Sequence, residues 1–143
     1  MIAVDTNILV HAHREESSKH RAAHARITSL AESLSRWAIP VFCIGEFVRI
    51  ITHPRLFDPP HTVEEACEAV SRLLDSPSVI VLYPSSDYPA LFMEAIREAN
   101  ATGNLVFDAQ IAALCRESGV SRLVTEDRDF NRFKGLITER LKA

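Results

Sequence analysis

Cysteine is sparse in this chain, and the three present, Cys43, Cys67 and Cys115, are too far apart to form a CxxC pair. An odd count without close spacing excludes a disulfide scaffold and a zinc knuckle, and fits a reducing compartment such as the cytoplasm. Long apolar runs are missing too, since no stretch approaches the ~18 residues that a membrane span requires. The opening MIAVDTNILV places an aspartate where a signal peptide would continue its apolar segment. Secretion and membrane insertion are therefore not expected. Nor is there an excess of positive charge, the formal net charge being −3. That value does not exclude a polyanionic partner. Thirteen of the sixteen basic residues are arginine, the better fork for phosphate oxygens. If four of the nineteen carboxylates hold cations, fifteen acids stand against sixteen bases.

What the chain does have is enough apolar material for a core. Its 143 residues are 47% hydrophobic and 24% charged. That balance suits one globular domain spanning 1–143, burying roughly 70% of its unfolded surface. No internal repeat, low-complexity tract or linker divides it. Ile2-Ala3-Val4 reads as a buried strand stopping at Asp5-Thr6-Asn7, all helix-capping types, before Ile8-Leu9-Val10 opens a helix. Ala23, Ile27, Leu30 and Leu34 fall near helical spacing in a helix predicted from about Ser18 to Leu34. Trp37-Ala38-Ile39 predicts a second strand, and Val41 to Thr52 an apolar helix halted before His53-Pro54. The proline-rich stretch from Pro54 to His61 predicts a loop. Thr62 and Glu65 form a capping-box pattern for a helix from Val63 to Leu74. Val79 to Leu82 is the clearest strand, Asp87 to Ala99 a helix, and Ala101 to Asn104 a break before a helix ending near Ser118-Gly119. Ser121 to Thr125 predicts a fourth strand, and Leu136-Ile137 a weaker one. Short apolar strands alternating with helices imply an α/β fold whose parallel sheet is covered on both faces.

In such a sheet ligands bind beyond the carboxyl ends of the strands, where Asp5 and Asp127 stand. Taken singly, each is an ordinary loop or cap aspartate. Glu46 is less ordinary. Ile44, Phe47, Val48 and Ile51 form the apolar stripe of its helix, yet Glu46, on the other side, has Phe42, Cys43, Arg49 and Ile50 three or four residues away. A carboxylate in apolar company either pairs with a cation, here Arg49, or holds a metal. Asp108 lies in the first turns of its helix beside Leu105, Ile111 and Ala112. A favourable helix dipole, worth about 0.3–1 kcal/mol, is a weak reason to desolvate it. Should four carboxylates converge, two charges 4 Å apart repel by roughly 4 kcal/mol at an effective dielectric of 20. Either some pKa values then rise or cations bind. All-oxygen ligation selects Mg²⁺ or Mn²⁺. The chemistry best served is metal-assisted phosphodiester hydrolysis, the ion activating the attacking water and steadying the leaving oxygen.

The segments VDTNILV at Asp5, CIGEF at Glu46, GNLVFDAQIAAL around Asp108 and VTEDRDF at Asp127 together resemble the PIN-domain family. FVRIITHPRLF and TEDRDFNRF narrow the resemblance to the VapC-type toxins of bacterial toxin–antitoxin systems. The likeness runs from residue 2 to about Leu136. It implies a three-layer α/β/α sandwich around a five-stranded parallel sheet. It also implies Mg²⁺- or Mn²⁺-dependent endoribonuclease activity on RNA, a homodimer, and a cognate VapB-type antitoxin that occludes the site. Carried over by position, Asp5, Glu46, Asp108 and Asp127 are the metal-binding acids. Asp129 is a further member if Thr125, Asp127 and Asp129 share the parity of an extended strand. Thr6, Asn7 and Thr125 would support the acids. Family members often carry Ser or Thr three residues before the helix acid, where this chain has Cys43, a weaker donor.

His11, His13, His20 and His24 cluster, with His20 and His24 spaced like paired zinc ligands. No carboxylate or cysteine completes a zinc pattern, and Arg14, Lys19 and Arg21 oppose a cation, so these histidines are expected to be solvated or to face RNA. In PRLFDPPH, Arg55 and Phe57 offer a phosphate contact and a base contact, against the simpler reading of a connector. Arg128 and Arg132 flank the last acid and suit phosphate binding. Two other functions compete. A non-catalytic RNA- or protein-binding module on this fold would be marked by loss of acids, and all are present. A phosphatase using Asp5 as a covalent nucleophile would need a DxD that Asp5-Thr6-Asn7 lacks.

Overall fold

A computed structural model describes residues 1–142. Five short strands form, the first four mainly apolar and the last polar: β1 (Ile2–Val4), β2 (Trp37–Pro40), β3 (Val79–Leu82), β4 (Arg122–Val124) and β5 (Thr138–Glu139). All neighbours pair in parallel, in the order β3-β2-β1-β4-β5. The helices are α1 (Thr6–His13), α2 (His20–Glu32), α3 (Val41–Ile51), α4 (Val63–Leu74), α5 (Tyr88–Ala99) and α6 (Leu105–Glu117), with a 3-10 turn over Arg128–Arg132. The chain steps outward from β1 to β2 to β3, then returns past β1 to β4. Right-handed crossovers in opposite directions lie on opposite faces, so α1 to α4 cover one face and α5 and α6 the other. This is the expected three-layer sandwich. The strand order reverses between β1 and β4, and the carboxyl ends of strands at such a switch point are where open α/β sheets bind ligands.

Local sequence sets most element ends. Thr62 accepts from the Glu65 N–H at 3.1 Å and Glu65 returns a bond to the Thr62 N–H at 3.0 Å, completing the capping box of α4. Gly119, at φ +70°, ends α6 in a conformation that side chains with a Cβ resist, and Val120 N–H closes on Cys115 C=O at 2.9 Å. Two expectations shift. The second helix starts at His20 and stops at Glu32, because Ser33 turns extended, and Leu34, predicted on its buried stripe, is wholly exposed. The last strand lies two residues beyond Leu136-Ile137. Leu136 drops into the core after the Gly135 turn, and β5 pairs Thr138 with Leu123 and Glu139 with Val124.

The core packs Trp37 of β2, Phe47 and Ile51 of α3, Ile111 and Leu114 of α6, and Phe130 and Phe133 beyond β4 around the sheet. Burying one such side chain contributes about 1.5–3 kcal/mol. Ala109, Ala112 and Ala113 let α6 lie close against its neighbours, and Asp108, in the first turn of that helix, is half-buried.

Candidate metal centre

β1 ends at Val4, so Asp5 emerges at the carboxyl edge of the sheet and caps α1. It is 5% exposed. Its Oδ1 accepts the Thr6 N–H at 2.7 Å, and its Oδ2 accepts the Thr125 hydroxyl at 2.7 Å and the Asn7 amide at 3.1 Å. Thr6 thus contributes its backbone, while its hydroxyl is buried and has no partner among the described residues. Thr125 continues β4 and also receives the Asp127 N–H at 3.0 Å. Asp127 caps the following 3-10 turn, its Oδ1 accepting the Asp129 N–H at 2.9 Å. Asp129 therefore meets Asp127 through a tight turn and not through the alternation of an extended strand.

Asp108, Asp127 and Asp129 can each present an oxygen within 4.8 Å of the others. Asp5 and Glu46 lie outside that tight trio but within its electrostatic reach. Burial first, then the charges of Asp127, Asp5, Asp129 and Glu46, push Asp108 up to about 7. Burial likewise pushes Asp5 up to about 6; its bonds from Thr125 and Thr6 oppose the rise, and the charges of Glu46 and Asp127 add to it. Two carboxylates at such separations repel by roughly 3 kcal/mol where the effective dielectric is near 20, less beside open water. Acids gathered this closely, two of them pushed this far up, form a donor set short of positive charge. A hard divalent cation fits it.

Glu46 sits half-buried on α3, and the alternative partner for it is not used: no Glu46–Arg49 ion pair forms among the described residues. The fully buried face of α3 consists of Cys43, Phe47 and Ile51, with Ile44 and Val48 only half-buried, so the stripe is rotated toward Cys43. Cys43 Sγ lies 3.9 Å from Asp5 Oδ1, and burial together with that carboxylate raises the thiol well above its ordinary range. It remains a thiol.

The basic residues divide. Arg128 and Arg132 are exposed on the turn beside Asp129, and Arg132 Nε lies 3.6 Å from its carboxylate. Arg55 is exposed on the loop beyond α3, at the end of that helix away from the sheet's carboxyl edge. Phe57 of the same loop does not await a base: the Arg14 guanidinium stacks on it, 4.0 Å from the ring centroid. Three of the four clustered histidines are spent internally, which corrects the expectation of solvated or RNA-facing rings for His11, His13 and His20, while His24 is exposed as expected. His11 bonds Ser17 at 2.6 Å, His20 bonds the His11 carbonyl at 3.0 Å, and His13 meets His61 at 2.8 Å. Sequence reasoning passed over one residue, Glu126. Its side chain turns to Lys19, Arg140 and the Leu141 N–H, and a third acid in TEDRD carries no mark of those partners in the sequence.

Fold and site together define a parallel α/β protein with an all-oxygen acidic centre at the switch point of its sheet. The PIN domain family model matches residues 2–136. Ribonuclease VapC43 of Mycobacterium tuberculosis is 32% identical over 136 residues, covering 95% of this chain and 92% of the relative. Among solved structures, VapBC2 from Rickettsia felis, bound to a DNA fragment from its promoter, superposes with a TM-score of 0.72 at 21% identity over 99% of this chain and 100% of that one. Mycobacterium tuberculosis VapC20, a sarcin-ricin loop cleaving toxin, gives 0.69 at 18% identity over 95% of this chain and 98% of that one. The chain belongs to the PIN-domain family, in its VapC ribonuclease branch. Ribonucleases of this family are generally dependent on divalent metal, and the acidic cluster is the corresponding feature here.

Proposed function

We propose that this chain is a Mg²⁺- or Mn²⁺-dependent endoribonuclease, the toxin of a VapBC-type toxin–antitoxin pair. On this reading residues 1–143 form one domain that works in the cytoplasm as a homodimer, silenced by a VapB-type antitoxin. The observation that carries it is the convergence of Asp108, Asp127 and Asp129, whose oxygens lie within 4.8 Å of one another, with the charges of Asp5 and Glu46 close enough to act on Asp108. VapC43 and VapC20, named as a ribonuclease and an RNA-cleaving toxin, support the same activity. No helix among the described residues is long and apolar enough to cross a membrane.

Asp5, Glu46, Asp108, Asp127 and Asp129 would hold the ion. Bound there, a divalent cation supplies an activated water and charge stabilisation for phosphodiester hydrolysis. The protein's own groups do the rest. Thr125, Asn7 and the Thr6 N–H hold the Asp5 carboxylate at a fixed angle. Asp127 commits one oxygen to the Asp129 N–H and keeps the other free. Arg128 and Arg132, exposed at the rim, are placed to steady RNA phosphates. Purified protein should cleave RNA with Mn²⁺ or Mg²⁺, stop in EDTA, and lose cleavage to the EDTA background in Asp5→Asn. An Asp5→Asn variant that cuts as fast as the parent protein would reject the proposal.

A further inference from the structure

Glu126 is a charged side chain with only 10% exposure, set between two residues of the acidic centre. It belongs to the metal trio neither by position nor by contact. Its Oε2 accepts Lys19 Nζ at 2.7 Å and the Arg140 guanidinium at 3.2 Å, and its Oε1 accepts the Leu141 N–H at 2.8 Å. Its own N–H donates to Asn7 Oδ1 at 3.3 Å, and the other end of that amide donates to Asp5. Three segments thus meet on the stretch after β4: α1 through Asn7, the α1–α2 connection through Lys19, and the carboxyl-terminal strap after β5 through Arg140 and Leu141.

Ion pairs whose cations stay open to water, as Lys19 and Arg140 do at 43% and 45% exposure, are a poor source of stability, because solvent screens the attraction. A carboxylate held by two cations and a backbone N–H is, however, a good clamp on backbone direction. Here the clamped peptide lies directly between Thr125, which binds Asp5, and Asp127, which aims at Asp108 and Asp129.

Building on the metal-dependent reading above, we infer that Glu126 is a positioning residue: through Lys19, Arg140 and Leu141 it fixes the Thr125–Asp129 segment so that Asp127 and Asp129 present their oxygens to a divalent cation. Groups that orient metal ligands from behind typically cost 10–100-fold in metal affinity when removed.

The test titrates Mn²⁺ into the full-length protein by electron paramagnetic resonance, without RNA, for the parent protein, Glu126→Gln, Glu139→Gln and Asp108→Asn. Glu126→Gln keeps the volume and the bond from Leu141, so the fold should persist. Glu139→Gln is the control for the strap, since the Glu139 side chain holds the same segment through Arg26 at 2.7 Å and Arg122 at 3.2 Å, while its bond to the Thr125–Asp129 turn, from Thr125 N–H at 2.9 Å, is to the backbone carbonyl that the substitution keeps. Glu126→Gln should weaken Mn²⁺ binding about 10-fold or more. The loss should persist in 1 M salt, where the field of the two freed cations is screened to about 3 Å. With RNA, kcat should fall while KM holds. Glu139→Gln should bind Mn²⁺ like the parent. Parent-like affinity in Glu126→Gln, with Asp108→Asn impaired, would overturn the positioning role alone. Equal losses in Glu126→Gln and Glu139→Gln would also overturn it, reducing Glu126 to a fastening of the strap. Mn²⁺ binding indifferent to Asp108→Asn would overturn the metal-centre reading and this inference with it.

Discussion

Cys43 illustrates how much a single atom can matter beside a buried carboxylate. Its Sγ approaches Asp5 Oδ1 at 3.9 Å, where a thiol donates weakly. A hydroxyl there would bond the charged form of Asp5 more strongly and lower its pKa from about 6. Cys43→Ser should therefore remain active, with the acid limb of its kcat/KM profile moved to lower pH, as measured at a fixed sub-saturating Mn²⁺ concentration across pH 5–8. An unmoved limb would show that the thiol and Asp5 are not coupled. At this scale Glu46 and Asp108 stand out in the sequence as charges within apolar helices, whereas Asp5 and Asp127, ordinary loop or cap aspartates taken singly, are marked by the family resemblance. Glu126 gave no such sign, since a third acid in TEDRD reads as a solvated loop until Lys19 and Arg140 are seen to close on it.

Elements were legible where their ends are local chemistry. The Thr62–Glu65 box needs four consecutive residues and nothing else, and both of its bonds form. Thr62→Ala should cost about 1 kcal/mol of stability, visible in urea unfolding. RNA cleavage should not change, since α4 contributes nothing to the acidic centre. A variant that lost activity at unchanged stability would tie α4 to the site. Elements whose limits depend on distant partners were less legible. Leu136-Ile137 has the apolar character of a strand, but Leu136 is buried beneath the sheet edge and pairing begins at Thr138, a register decided by β4. The apolar periodicity that reached Leu34 was likewise cut short by the turn at Ser33. Asp129 reached the cluster by a 3-10 turn that a parity argument cannot foresee.

At the scale of the whole molecule the acidic centre sets how stability responds to pH. Asp5 and Asp108 lose protons near 3.8 when unfolded, but near 6 and 7 when folded. Between those limits the folded state holds more protons, so their contribution is fully present below about pH 4 and is lost as pH rises through 6 and 7. A divalent cation takes over from the protons once they leave. Calorimetry should accordingly show Mn²⁺ raising Tm clearly at pH 8 and hardly at pH 5, against EDTA-treated protein. An equal shift at both values would place the ion elsewhere. The sequence by itself determined the alternation of strands and helices, because apolar period and capping act over a few residues. It also determined which acids stand in unusual company. Only the tertiary structure decided that Asp5 and Thr125, 120 residues apart, share a hydrogen bond, and which turn brings Asp129 to Asp108. The physical reason is that desolvation and charge repulsion depend on distance in space, which chain order does not fix until the strand order reverses between β1 and β4.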